Sequence, residues 1–114
     1  MNMKKLKLLL QDRGIGKTHK CITVAGLTDN TIIICHDELT ANRVNDEIKI
    51  KKMKCKALSI WEYINNIEKY RNYNIIIDEL DLVLKNILKN NILFATGTYF
   101  NIIDYRNEVE VWVF

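Results

Sequence analysis

Three features of this 114-residue chain predict an α/β fold, with helices on both faces of a mostly parallel central sheet in three layers. Short β-branched runs alternate with stretches of helical periodicity. Two of those runs, TIIIC at 31–35 and NIIID at 74–78, are apolar without interruption, as strands covered on both faces are. No linker, repeat or low-complexity segment breaks the alternation.

The elements follow in order. KLKLLL at 5–10 reads as a buried strand, and residues 17–27 can form a helix. TIIIC is the second strand. Residues 38–50 carry Leu39, Ala41, Val44 and Ile48 at helical spacing, with charges between them. MKCKALS at 53–59 alternates Met53, Cys55 and Ala57 against Lys54 and Lys56, the pattern of a strand with one wet face. Ser59 with Glu62 three residues on spells a capping box. Trp61, Ile64 and Ile67 or Glu68 then extend one helix to about residue 70. NIIID is a further strand, ELDLVLKNILK a helix, ILFAT at 92–96 a strand and EVEVWVF at 108–114 an alternating terminal strand. A single domain over residues 1–114 is expected.

Hydrophobic residues make up 48% and charged residues 27%, the balance of a soluble globular protein, and a net charge of +3 does not by itself point to a polyanionic partner. Cys21, Cys35 and Cys55 form no C-x-x-C pair, and each lies in an apolar segment, so free thiols in a reducing compartment are expected. Cys35, His36 and His19 match no common zinc spacing. The N-terminal apolar run is short, is broken by Lys7 and has no small-residue cleavage site after it. No stretch has the length of a membrane span. A cytoplasmic protein that does not engage membranes is the expectation.

Two short motifs carry chemistry. QDRGIGKT at 11–18 lies between a predicted strand and a predicted helix. In that setting glycines turn backbone N–H groups toward phosphates, and the following helix adds the positive end of its dipole. Gly14, Ile15 and Gly16 would supply the cradle, Lys17 would reach the β- and γ-phosphates, and Thr18 would ligate Mg²⁺. The bland alternative is a glycine-bearing turn with a solvated lysine. NIIIDE at 74–79 is an apolar strand ending in adjacent acids, a costly arrangement unless a cation is near. Asp78 would hold Mg²⁺ through its water shell, and Glu79 would orient and polarise an attacking water. The alternative for Asp78 is a helix cap.

Together these motifs resemble the P-loop NTPases that insert an additional strand and use a catalytic glutamate, the RecA-like division. The chain is most similar to the first RecA-like domain of helicases and of phage terminase large subunits. Helicase loops commonly run A/G-x-x-G-x-G-K-T, and the chain follows that pattern from Gly14 onward, with Gln11 in place of the usual small residue. Gln11 could narrow the base side of the site or offer its amide to the nucleotide. Terminase loops often carry an arginine where Arg13 stands, and the resemblance implies that it acts as an arginine supplied in cis. ATGT at 95–98 is similar to the coupling motif of helicases, so Thr96 or Thr98 would sense the γ-phosphate. The resemblance covers residues 5 to about 100 and implies a P-loop NTPase fold, ATP and Mg²⁺ as cofactors, and hydrolysis. Motors of that kind have a second RecA-like or a nuclease domain, and a neighbour's arginine closes the site. A second copy or a protein partner is therefore expected to complete it.

Two other readings stand beside this one. The chain could be a degenerate P-loop module that regulates a partner without turnover. It could also be a small nucleic-acid-binding protein using KIKKMKCK at 49–56, whose five lysines could face phosphates. No aromatic residue interleaves with those lysines, and lysines also protect sheet edges from aggregation.

Overall fold

The computed structural model describes residues 6–10, 16–97 and 100–104. The elements in order are β1 (Leu6–Leu10), α1 (Lys17–Gly26), β2 (Thr31–Cys35), α2 (Glu38–Ile50), β3 (Lys56–Ser59), α3 (Ile60–Asn65), a 3₁₀ turn (Ile67–Tyr70), β4 (Asn74–Ile77), α4 (Leu80–Leu88) and β5 (Phe100–Asp104). The chain divides into two units, residues 1–17 with 92–114 and residues 18–91. In the first unit, β1 and β5 pair in parallel, with Leu6 opposite Phe100 and Leu10 opposite Asp104.

The second unit is a small α/β domain around a three-stranded parallel sheet of order β3-β2-β4. The central strand β2 is buried along its whole length, so its continuous apolar run serves both faces. Successive residues point to opposite sides, and the core divides accordingly. Ile33, Cys35 and Ala57 meet Ile22 and Ala25 of α1 and Ala41, Val44 and Ile48 of α2. Ile32, Ile34 and Leu58 meet Ile60 of α3, Tyr70 of the 3₁₀ turn and Val83 of α4. Each fully buried isoleucine contributes about 1.5–3 kcal/mol.

Local chemistry sets the boundaries. Asp37 caps α2 by accepting from the Thr40 N–H at 2.8 Å. Ser59 accepts from the Glu62 N–H at 3.1 Å, the forward half of the capping box. Gly26 ends α1 where a Cβ would lie 2.1 Å from Cε of Met53, so only glycine admits that approach without displacing the methionine. The outer edge of β3 is met by Asn45 of α2. Its Nδ2 donates to the Ala57 carbonyl at 2.9 Å, and its Oδ1 accepts from the Ala57 N–H at 2.8 Å.

Several expectations need correction. Residues 92–97 form no strand, and Leu93 and Phe94 are 95% and 83% exposed. The strand that pairs with β1 is FNIID at 100–104, and composition alone does not choose between two β-prone runs eight residues apart. The strand predicted at 53–59 is confined to 56–59, and both its faces are covered, because Ala57 and Leu58 are each buried. The helix predicted to run to residue 70 stops at Asn65, since Asn66 leaves helical geometry at φ −132° and ψ 30°. Its apolar face is Ile60, Tyr63 and Ile64, while Trp61 and Ile67 are exposed. Leu39 is 61% exposed because, two residues before Ala41, it lies about 200° around the helix from the buried stripe. The strand predicted at 108–114 lies outside the described residues. Among the described residues, no helix is long and apolar enough to cross a membrane.

Candidate functional site

The topology creates a crevice between β2 and β4. These neighbouring parallel strands are followed by helices on opposite faces, α2 on one and α4 on the other. In open α/β sheets, ligands settle at such a point, outside the carboxyl ends of the strands. Asp78 stands there, directly after β4, and its N–H extends the ladder by donating to the Ile34 carbonyl at 3.0 Å.

The Asp78 side chain is buried, with the residue only 3% exposed. A buried carboxylate is costly unless donors surround it. One donor comes from 60 residues away: the Thr18 Oγ1 hydroxyl, in the first turn of α1, donates to Asp78 Oδ2 at 2.8 Å. The cap position of α4 is held by Glu79, with no side-chain cap bond, so Asp78 is not that helix's N-cap residue.

Two thiols report the local field. Burial pushes the Cys21 thiol up to about 12, and the charges of Asp78 and Glu79 and a hydrogen bond to Asp78 push in the same direction. Cys35 rises to about 12 as well, through burial first and then the charges of Asp78 and Cys21. Both cysteines therefore remain thiols at neutral pH, with burial as the main cause and the neighbouring carboxylates adding to it. Cys21 was not legible as a site residue, although its place one turn after Thr18 on α1 is a usable signal.

Glu79 is half-buried and adopts left-handed backbone geometry, φ 59° and ψ 67°. Gly16 also has positive φ, +77°, immediately before α1, where a side chain would be strained even though a Cβ there meets no atom within 4 Å. Lys17 opens α1 and is half-buried. Gln11, Arg13, Gly14, Ile15 and Thr98 lie outside the described residues. Thr96 is exposed in an irregular segment and precedes β5, whereas the sequence pattern had placed it after a strand. The structure thus brings Thr18 and Asp78 into contact, with Glu79 next in the chain.

The donor set suits a hard cation. One hydroxyl and one carboxylate are oxygen ligands of the kind Mg²⁺ takes when it keeps several waters and adds phosphate oxygens. Beside the crevice, an open pocket of about 400 Å³ is lined by His36, Asp37, Leu82, Lys85, Asn86 and Lys89. Thr18 and Asp78 are not among its lining residues. His36 Nε2 lies 3.3 Å from Asp37 Oδ2, its carbonyl accepts from Asn86, and its Nδ1 is buried without a hydrogen-bond partner. Hydrogen bonds from Thr40 hold the Asp37 carboxyl below the usual carboxylate range. His19 is exposed and contacts Lys51. No protein-family model matches this chain, and no curated protein or solved structure matches it.

Proposed function

We propose that this chain is a nucleotide-binding protein with the three-layer P-loop NTPase fold, acting as a slow or partner-dependent Mg²⁺-ATPase of the RecA-like kind. The observation that carries the reading is the Thr18–Asp78 hydrogen bond of 2.8 Å. It joins the last residue of GKT to the first acid of the strand-end pair, the two positions that both motifs independently assign to a metal. The backbone N–H groups of Gly14, Ile15 and Gly16 would surround the phosphates, and the Lys17 ammonium would contact the β- and γ-oxygens. Thr18 and Asp78 would hold Mg²⁺, which when bound neutralises charge developing on the phosphates. Glu79 would accept the proton of the attacking water. Melting with millimolar ATP and Mg²⁺ tests this. At a hundredfold excess over the dissociation constant, stability should rise by about 2.7 kcal/mol, and Lys17→Ala should remove most of that rise. Indifference of the wild-type protein to nucleotide would end the reading.

A second reading, nucleic-acid binding through the lysine stretch, gains support from an aromatic group that the sequence leaves distant. Lys56 Nζ lies 4.9 Å and Lys69 Nζ 5.5 Å from the Tyr70 ring centroid, and Tyr70 meets Tyr73 edge-to-face at 5.4 Å. Lys54, Lys56 and Tyr73 line a common pocket of about 340 Å³ at the amino ends of the strands. Anisotropy of a labelled single-stranded oligonucleotide separates the two readings. Binding that weakens with salt, falls in Tyr73→Ala and survives Lys17→Ala favours nucleic acid.

A further inference from the structure

We infer that the pocket between α4 and the turn after β2 binds the phosphate group of a small organic phosphomonoester, with the Lys85 and Lys89 ammonium groups holding the dianion. The inference does not rest on the nucleotide reading, because Thr18 and Asp78 are not among the lining residues.

Helical spacing builds one wall. Leu82, Lys85, Asn86 and Lys89 recur three or four residues apart along α4 and at its C-terminal cap, so they share one face. His36 and Asp37, directly after β2, form the other wall. Asn86 ties the two together: its Nδ2 donates to the His36 carbonyl, and its Oδ1 accepts from Lys89 Nζ at 2.9 Å. The same ammonium lies 5.7 Å from the Trp61 ring centroid, on the face of the indole that attracts a cation. An ammonium held from two sides gives up less side-chain freedom when an anion arrives. The Lys85 ammonium has no hydrogen bond or ion pair among the described residues.

The backbone adds a separate observation. Lys89 caps α4 in left-handed geometry, φ 62° and ψ 0°, a position that favours glycine. A strained residue whose side chain lines a pocket points to a use for that side chain. Charge decides the class of ligand. Asp37 is the one carboxylate in the lining, and it accepts from the Thr40 N–H at 2.8 Å and lies 3.3 Å from His36 Nε2. Two ammonium groups against one engaged carboxylate favour an anion. A phosphomonoester carries about −1.5 to −2 at neutral pH, which matches the pair. A volume of about 400 Å³ with Leu82 in the lining leaves room for an organic body beyond the phosphate.

Calorimetric titration of the full chain with phenyl phosphate and with inorganic phosphate tests this. Phenyl phosphate should bind saturably at millimolar concentration and more tightly than inorganic phosphate. Lys85→Gln and Lys89→Gln should each weaken it about tenfold, the loss of one charge-assisted contact. Lys49→Gln, which removes the same charge from α2, should leave it unchanged. Lys89→Gly should weaken binding while raising the urea midpoint, since glycine relieves the left-handed turn. Absence of saturable binding, or binding indifferent to both glutamine variants, would overturn the inference. Equal affinity for inorganic phosphate would overturn the place given to the organic body. Displacement of phenyl phosphate by an equal concentration of a single-stranded oligonucleotide without terminal phosphates would assign the pocket to nucleic acid instead.

Discussion

Glu79 is where backbone geometry and proposed chemistry meet in one residue. At φ 59° a glutamate occupies the left-handed region, which costs a residue with a Cβ about 1–3 kcal/mol unless its surroundings impose it. Nothing in the capping of α4 requires a glutamate there, since its side chain makes no cap bond. The strain is understandable if the carboxylate must point from the strand end into the crevice. Glu79→Gly should therefore raise stability to urea by about 1 kcal/mol, the relief exceeding glycine's extra chain entropy, while abolishing turnover. Glu79→Gln should preserve fold and nucleotide binding and lose hydrolysis, because the amide keeps the shape without the base. Equal turnover in Glu79→Gln and wild type would leave the degenerate-module alternative standing. A loss of stability in Glu79→Gly would show that the left-handed turn is held by contacts of the side chain.

At the scale of elements, the edge of β3 depends on one side chain of α2. Ala57 is buried, yet both its main-chain groups face away from β2, and Asn45 satisfies them as a neighbouring strand would. Asn45→Ala should cost about 2 kcal/mol or more, since each buried group left unpaired costs about 1–3 kcal/mol, and it should open the edge to strand pairing and aggregation. Urea unfolding with light scattering checks both effects. Asn45→Asp, which keeps the acceptor and loses the donor, should fall between. The sequence showed the helix that carries Asn45 but not this use of it. Periodicity located β2, α2 and α4 to within a residue or two, because each buries a continuous or evenly spaced apolar set; the run at β4 was located as well, but it is not covered on both faces as its sequence predicts, since Ile75 and Ile77 are each 41% exposed. It failed where two β-prone runs competed, at ILFAT and FNIID, and where Asn66 broke a helix whose apolar spacing still continued. At the candidate site, GKT and DE were legible as local chemistry. The Thr18–Asp78 contact depends on strand order β3-β2-β4, which is not encoded in local spacing.

At the scale of the whole molecule, the hydrolysis proposed above would need a group that stabilises charge on the transferring phosphoryl. An arginine supplied by a neighbour is worth about 10³ to 10⁵ in rate in such reactions. Among the described residues, Arg43 is an exposed residue of α2 and Arg71 is an exposed partner of Glu68 at 3.1 Å. Neither lines the pocket beside the β2–β4 crevice. Arg13, inside the loop motif but outside the described residues, is the arginine that sequence places nearest the phosphates. A cis arginine would offset part of the loss, and a second copy or a partner would supply the rest. Intrinsic turnover should therefore be slow and rise with protein concentration or on adding a partner. Arg13→Ala should lower turnover tenfold or more while changing nucleotide affinity less than threefold, since the contact strengthens only as charge develops. A specific-activity series over a wide concentration range, for wild type and Arg13→Ala, reads both effects. Fast turnover at all concentrations, unchanged in Arg13→Ala, would mean that the site completes itself by other groups and that neither a neighbour nor Arg13 contributes to the rate.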